Sequence, residues 1–92
     1  MLEKEIEMKL KQEAELLGGW ALKFVSPGTA GVPDRIVLLP KGKLAFVELK
    51  APGKPLRPLQ LKRKKQLENL GFKVYIIDSH KAVERFLQEV VK

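Results

Sequence analysis

Apolar residues recur at helical spacing near the start of the chain. Leu2, Ile6, Leu10, Ala14 and Leu17 lie on one face and predict an amphipathic helix over 2–17, stopped by Gly18-Gly19. Projected down the axis, Glu3 falls on this apolar face, and Glu7 falls at its margin. A short apolar run over 20–25 predicts a strand, and Ser26-Pro27-Gly28-Thr29-Ala30-Gly31 is a loop by composition. Two more strands follow over 34–39 and 43–50, separated by Pro40-Lys41-Gly42 as in a hairpin.

After the Pro/Gly-rich loop 51–57, Pro58 fits the first turn of a helix reaching about Leu70, with Gly71 ending it. Residues 72–77 are apolar without alternation, as in a strand covered on both faces. Ser79 can cap a last helix whose buried stripe is Val83, Phe86, Leu87, Val90 and Val91. The order αβββαβα, with no repeat or linker, predicts one α/β domain over 1–92, a single sheet flanked by helices.

Composition narrows the chemistry. A chain of 92 residues holds one core and buries only about 60–65% of its unfolded surface, so pairing with a second copy would supplement its stability. Cysteine is absent and histidine occurs once, at position 80, which excludes disulfides, thiolate sites and multi-histidine metal sites. Glu3, Glu5 and Glu7 interrupt any signal-peptide core, and no apolar run approaches the roughly 20 residues that span a bilayer. An intracellular protein without a membrane partner is expected.

The net charge is +7, and its placement matters more than its size. Residues 41–65 hold nine basic residues and one acid, whereas the remainder holds nine basic and ten acidic. One stretch therefore carries all the excess, the footprint of a phosphate-backbone binder.

Within that stretch, Glu48 and Lys50 stand two apart on a strand among Phe46, Val47 and Leu49 and so share a face. Buried charges without partners are costly, so partners are expected. A hairpin folded about Gly42 pairs residues whose numbers sum to about 84. That sets Asp34 opposite Lys50 and diagonal to Glu48, about 7–8 Å apart between Cα atoms. Two carboxylates this close call for a proton or cation between them. Few carboxylates with hard oxygen donors suit Mg²⁺ or Mn²⁺, which polarises a phosphodiester and lowers the pKa of bound water. The alternative is a salt bridge among the three charges. Gly31-Val32-Pro33 ahead of Asp34 allows close backbone approach and fixes the direction of the acid.

Gly31-Val32-Pro33-Asp34, thirteen residues, then Glu48-Leu49-Lys50 resembles the PD-(D/E)XK nuclease motif. The wider series is Lys23-Phe24, Ser26-Pro27-Gly28, Gly31–Arg35, Val47–Gly53 and Pro58-Leu59-Gln60. It resembles the virus-type replication-repair nuclease family, VRR-NUC, over nearly the whole chain. The resemblance implies a restriction-endonuclease-like core with a mixed sheet. It also implies metal ligands at Asp34, Glu48 and the Leu49 carbonyl, and Lys50 serving the attacking water. It implies a glutamate from the first helix, for which Glu3 suits and Glu7 competes. Gln60 matches a family glutamine that would hold a metal-bound water or a phosphate.

Lys23, Arg35, Lys54, Arg57, Lys62, Arg63, Lys64 and Lys65 then become candidate phosphate contacts, with an acid partner as the alternative for Arg35. Four consecutive helix positions sweep about 300°, so Lys62 to Lys65 cannot all face one duplex. No aromatic-rich RNA-reading motif is present, which favours DNA read by backbone and shape. The small free-standing relatives are similar to junction-resolving dimers, so a homodimer cutting four-way or branched DNA is expected, with no small-molecule substrate. The competing readings are a non-catalytic DNA-binding module and an accessory subunit of a larger nuclease.

Overall fold

The computed structural model describes residues 2–92. Its elements are α1 (Glu3–Leu16), β1 (Trp20–Lys23), β2 (Arg35–Leu39), β3 (Lys43–Leu49), α2 (Pro58–Asn69), β4 (Val74–Ile77) and α3 (His80–Val90). The predicted order αβββαβα is the observed one. The sheet runs β1-β2-β3-β4, antiparallel through β3, with β4 parallel to β3. It is therefore mixed, as expected.

Alternation along the strands sorts side chains between two sheet faces. Val37 and Leu39 of β2, Ala45, Val47 and Leu49 of β3, and Ile77 of β4 share one face and are buried. Against them pack Ile6, Leu10 and Ala14 of α1 and Val83, Phe86 and Leu87 of α3, forming the core. Each Val, Leu, Ile or Phe among them contributes roughly 1.5–3 kcal/mol by leaving water. Ser79 Oγ accepts from the Ala82 N–H at 3.0 Å, the predicted cap of α3.

The opposite face holds rows of directly paired residues. Trp20, Leu38 and Leu44 form one row; Leu22, Ile36, Phe46 and Val74 form the next. Phe46 stacks with Phe24 (centroids 5.5 Å apart) and, edge-on, with Phe72 (5.8 Å). A third row continues the register through Asp34, Glu48 and Ile76, and α2 lies over this end by way of Gln60.

Several expectations shift. The hairpin pivots on Lys41: Leu39 pairs with Lys43 and Arg35 with Val47, a sum of 82 rather than 84. Lys41 and Gly42 both take left-handed backbone (φ 69 and 73), which closes the turn one position earlier than a lone glycine would. Strand β4 starts at Val74, not 72, and is not covered on both faces, since Ile76 is 42% exposed at the sheet edge. Val91 follows the last turn of α3 and is also exposed. Leu2 and Leu17 flank α1 outside the buried stripe.

Candidate active site

Asp34 enters the sheet immediately before β2, behind buried Pro33. Its backbone carbonyl accepts from the Phe24 N–H at 2.9 Å, so the β1–β2 ladder extends to it. Its Oδ2 accepts from the Leu49 N–H at 2.9 Å, which ties the acid to the end of β3. One step beyond the Arg35–Val47 pair, the observed register sets Asp34 directly opposite Glu48. The two-residue correction preserves the face, so Asp34, Glu48 and Lys50 still converge.

Glu48 is only 4% exposed. Gln60 Nε2 donates to its Oε1 at 3.0 Å, and Gln60 Oε1 accepts from the Arg57 N–H at 2.9 Å. The amide is thus oriented by the start of α2. In this arrangement Gln60 holds Glu48 directly. Burial pushes the Glu48 carboxyl up to about 8, helped by hydrogen bonding to and repulsion from Asp34; Lys50 and Arg57 pull it the other way.

Gly31 has φ +85 and lies so close to α2 that a Cβ there would sit 2.6 Å from Leu59 Cγ. This contact seats the loop before Asp34 on the helix that carries Gln60. A cavity of about 420 Å³ opens beside it, lined by Ala30, Gly31, Arg57, Pro58, Leu59 and Gln60.

The remaining predicted residues divide. Glu3 is exposed in the first turn of α1, because the buried stripe begins a turn later at Ile6 and α1 packs on the other sheet face. Among the described residues no three His, Cys, Asp or Glu side chains gather as a metal set, so Glu3 does not join Asp34 and Glu48. Glu7 binds Arg35 (3.1 Å to Nη2), and Arg35, 8% exposed, also donates to the Ala21 carbonyl. Arg35 is therefore an internal tie between α1 and β2 and not a phosphate contact. Lys23 is exposed on that same α1 face, away from Asp34.

Arg63 is held by the Ala30 carbonyl (2.7 Å) and Gln66, and Lys64 pairs with Glu68 at 3.0 Å. Lys54, Arg57, Lys62 and Lys65 are exposed. Sequence reasoning missed the Gly31–Leu59 contact; the signal was Gly31 in a loop of fixed geometry.

The donors present fit a divalent cation. Two adjacent carboxyls, one forced to retain its proton, lower their energy when a cation replaces that proton. Asp34, Glu48 and the Leu49 carbonyl are hard oxygen donors of the kind Mg²⁺ and Mn²⁺ accept.

A mixed α/β sheet bearing two acids and a lysine at one end is the architecture of a PD-(D/E)XK-type nuclease. Residues 3–81 match the model of the VRR-NUC domain, and the chain belongs to that family. It is 52% identical over 77 residues to a protein named "Putative nuclease p44" from Acyrthosiphon pisum secondary endosymbiont phage 1, covering 84% of this chain and 83% of that one. A solved structure of a VRR_NUC domain superposes with a TM-score of 0.87 at 31% identity over 94% of both chains. The protein is a nuclease of this family.

Proposed function

We propose that this protein is a divalent-metal-dependent endonuclease that hydrolyses phosphodiester bonds in branched DNA, four-way junctions above all, as a homodimer. One observation carries the reading: a buried Glu48 faces Asp34 on the sheet face that also presents Lys50. A protein that only bound DNA would gain nothing from carboxyls placed against phosphates.

Asp34, Glu48 and the Leu49 carbonyl would hold Mg²⁺ or Mn²⁺, which when bound activates water and polarises the phosphate. Gln60 fixes the Glu48 carboxyl, and the Leu49 N–H fixes Asp34. Lys50 orients the attacking water and stabilises charge growing on the phosphate. Exposed Lys54, Arg57, Lys62 and Lys65 hold the DNA backbone near this end of the sheet.

The test incubates purified protein with linear duplex, flap, splayed-arm and four-way DNA, with Mg²⁺, Mn²⁺ or chelator. Metal-dependent cutting, fastest on the four-way form and abolished in Lys50→Ala with binding retained, is expected. Equal cutting of all forms would remove the junction preference. No cutting of any form would favour an accessory or binding role.

A further inference from the structure

A cavity of about 500 Å³ lies between α2 and the loop that follows β1. Phe24, Leu67 and Leu70 give it apolar walls, and exposed Thr29, Gln66 and Asn69 bring uncharged hydrogen-bonding groups to its rim. Its one charge is Arg63, whose guanidinium donates to the Ala30 carbonyl at 2.7 Å and to Gln66 Oε1 at 2.9 Å. No carboxylate lines it.

The segments that wall this cavity also hold the two acids. The Phe24 N–H donates to the Asp34 carbonyl at 2.9 Å, and Val32, another wall residue, stands two positions before Asp34. Gln66 and Leu67 follow Gln60 on α2, which sets the cavity about 10 Å along the helix from the amide that holds Glu48. At about 3.4 Å per stacked nucleotide, that is a reach of two or three nucleotides along one strand.

We infer that this cavity receives one unpaired nucleobase of the strand whose phosphate lies at Asp34 and Glu48. The inference deepens the proposed function and rests on it for the source of the base, since a branch point is where a base leaves the stack at least cost.

Three features select this occupant. First, the Phe24 ring is backed by Phe46, with centroids 5.5 Å apart, and so offers a fixed surface on which any base can stack. Second, the rim matches a base edge. Amide and hydroxyl groups both donate and accept, as the edge of a heterocycle requires. A phosphate would need more cations than Arg63, and a hydrocarbon ligand would strip water from Thr29, Gln66 and Asn69 without replacing it. Third, exposed Lys62 lies on the same helical stripe as Gln66 and Asn69, so the phosphate of an extruded nucleotide finds an ammonium beside the mouth. Linear duplex keeps its bases stacked and out of reach, so the cavity favours branched DNA over linear.

The test uses four-way DNA carrying 2-aminopurine at single positions, one to four nucleotides to either side of the cleavage point, with the wild-type protein in chelator. Emission should rise several-fold at one position on binding, as that base leaves its neighbours. Thr29→Trp fills the cavity from an exposed turn position and should abolish the rise, with affinity for linear duplex and its salt slope unchanged. An abasic site at the responding position should weaken wild-type binding roughly tenfold and leave Thr29→Trp binding unaltered, a comparison made on the DNA and indifferent to protein folding.

No change at any position, an equal rise at all of them, or a rise that survives Thr29→Trp would overturn the site. Failure of the nuclease reading shows separately, as absence of metal-dependent cutting by a protein that still gives the single-position rise.

Discussion

Replacing Asp34 by Asn separates stability from chemistry. Asn keeps an oxygen for the Leu49 N–H, now 2.9 Å from Asp34 Oδ2, and removes one negative charge from beside Glu48. Two unit charges about 4 Å apart at an effective dielectric near 20 repel by about 4 kcal/mol. The protein avoids most of that by leaving the proton on Glu48, whose carboxyl sits near 8. Burial, the larger cause of that elevation, survives the substitution. The relief is therefore about 1–2 kcal/mol at pH 8, a rise in Tm of roughly 5–10 °C for a domain of this size.

The sign follows from linkage. Glu48 is raised in the folded state, so the unfolded chain loses its proton first, near 4.5, and metal-free stability falls as pH climbs from there to about 8. The advantage of Asp34→Asn should thus vanish near pH 4 and be complete above 8. Calorimetry in chelator across this range gives the measurement. The same variant should lose Mn²⁺-induced stabilisation and at least about a hundredfold in cutting rate, since one cation ligand is gone. A variant less stable than wild type at pH 8 would refute the charge argument, and one that still cuts would refute the site.

Three further outcomes are expected. Because the proton on Glu48 competes with the cation below about 8, apparent Mn²⁺ affinity by calorimetry should strengthen roughly tenfold per pH unit and level off above that point. Lys62→Ala with Lys65→Ala should weaken binding to uncut DNA and reduce the salt slope of the affinity by about two, whereas Lys64→Ala, whose amine is engaged by Glu68, should change it less. Gly31→Ala meets Leu59 at 2.6 Å with φ +85, so it should cost about 1–3 kcal/mol by denaturant titration and lower the cutting rate at saturating metal.

Element order was legible because each element carries its own punctuation. Gly18-Gly19 ends α1, Pro58 opens α2 and Ser79 caps α3. The hairpin register was not, since a single sequence does not say which turn residues go left-handed. Lys41 did so alongside Gly42 and moved the pivot by one position. The error was harmless to the site because it displaced the pairing by two, and a strand repeats its faces every two residues. Glu3 misled for a different reason: helical spacing gives direction but not how far along its axis a helix is covered. Arg35 reads as a surface cation in any linear scan, and only the packing of α1 brings Glu7 to it.

The division of the sheet explains why these charges are tolerated at all. Along β2 and β3, one parity is apolar against α1 and α3, apart from Arg35, whose charge is matched by Glu7, and Lys43 at the start of β3. The other parity holds Asp34 and Glu48 at one end, where Gln60 of α2 covers them, and Phe46 beside them, which Phe24 and Phe72 cover. Stability therefore rests mainly on one face, and the carboxyl end of the opposite face can carry groups that weaken the fold. A slip of one residue would exchange the two, placing both carboxyls in the core and the core valines in water. The alternation that folds this chain and the alternation that assembles its site are the same pattern, so a substitution on the functional face can abolish cutting while the fold stands.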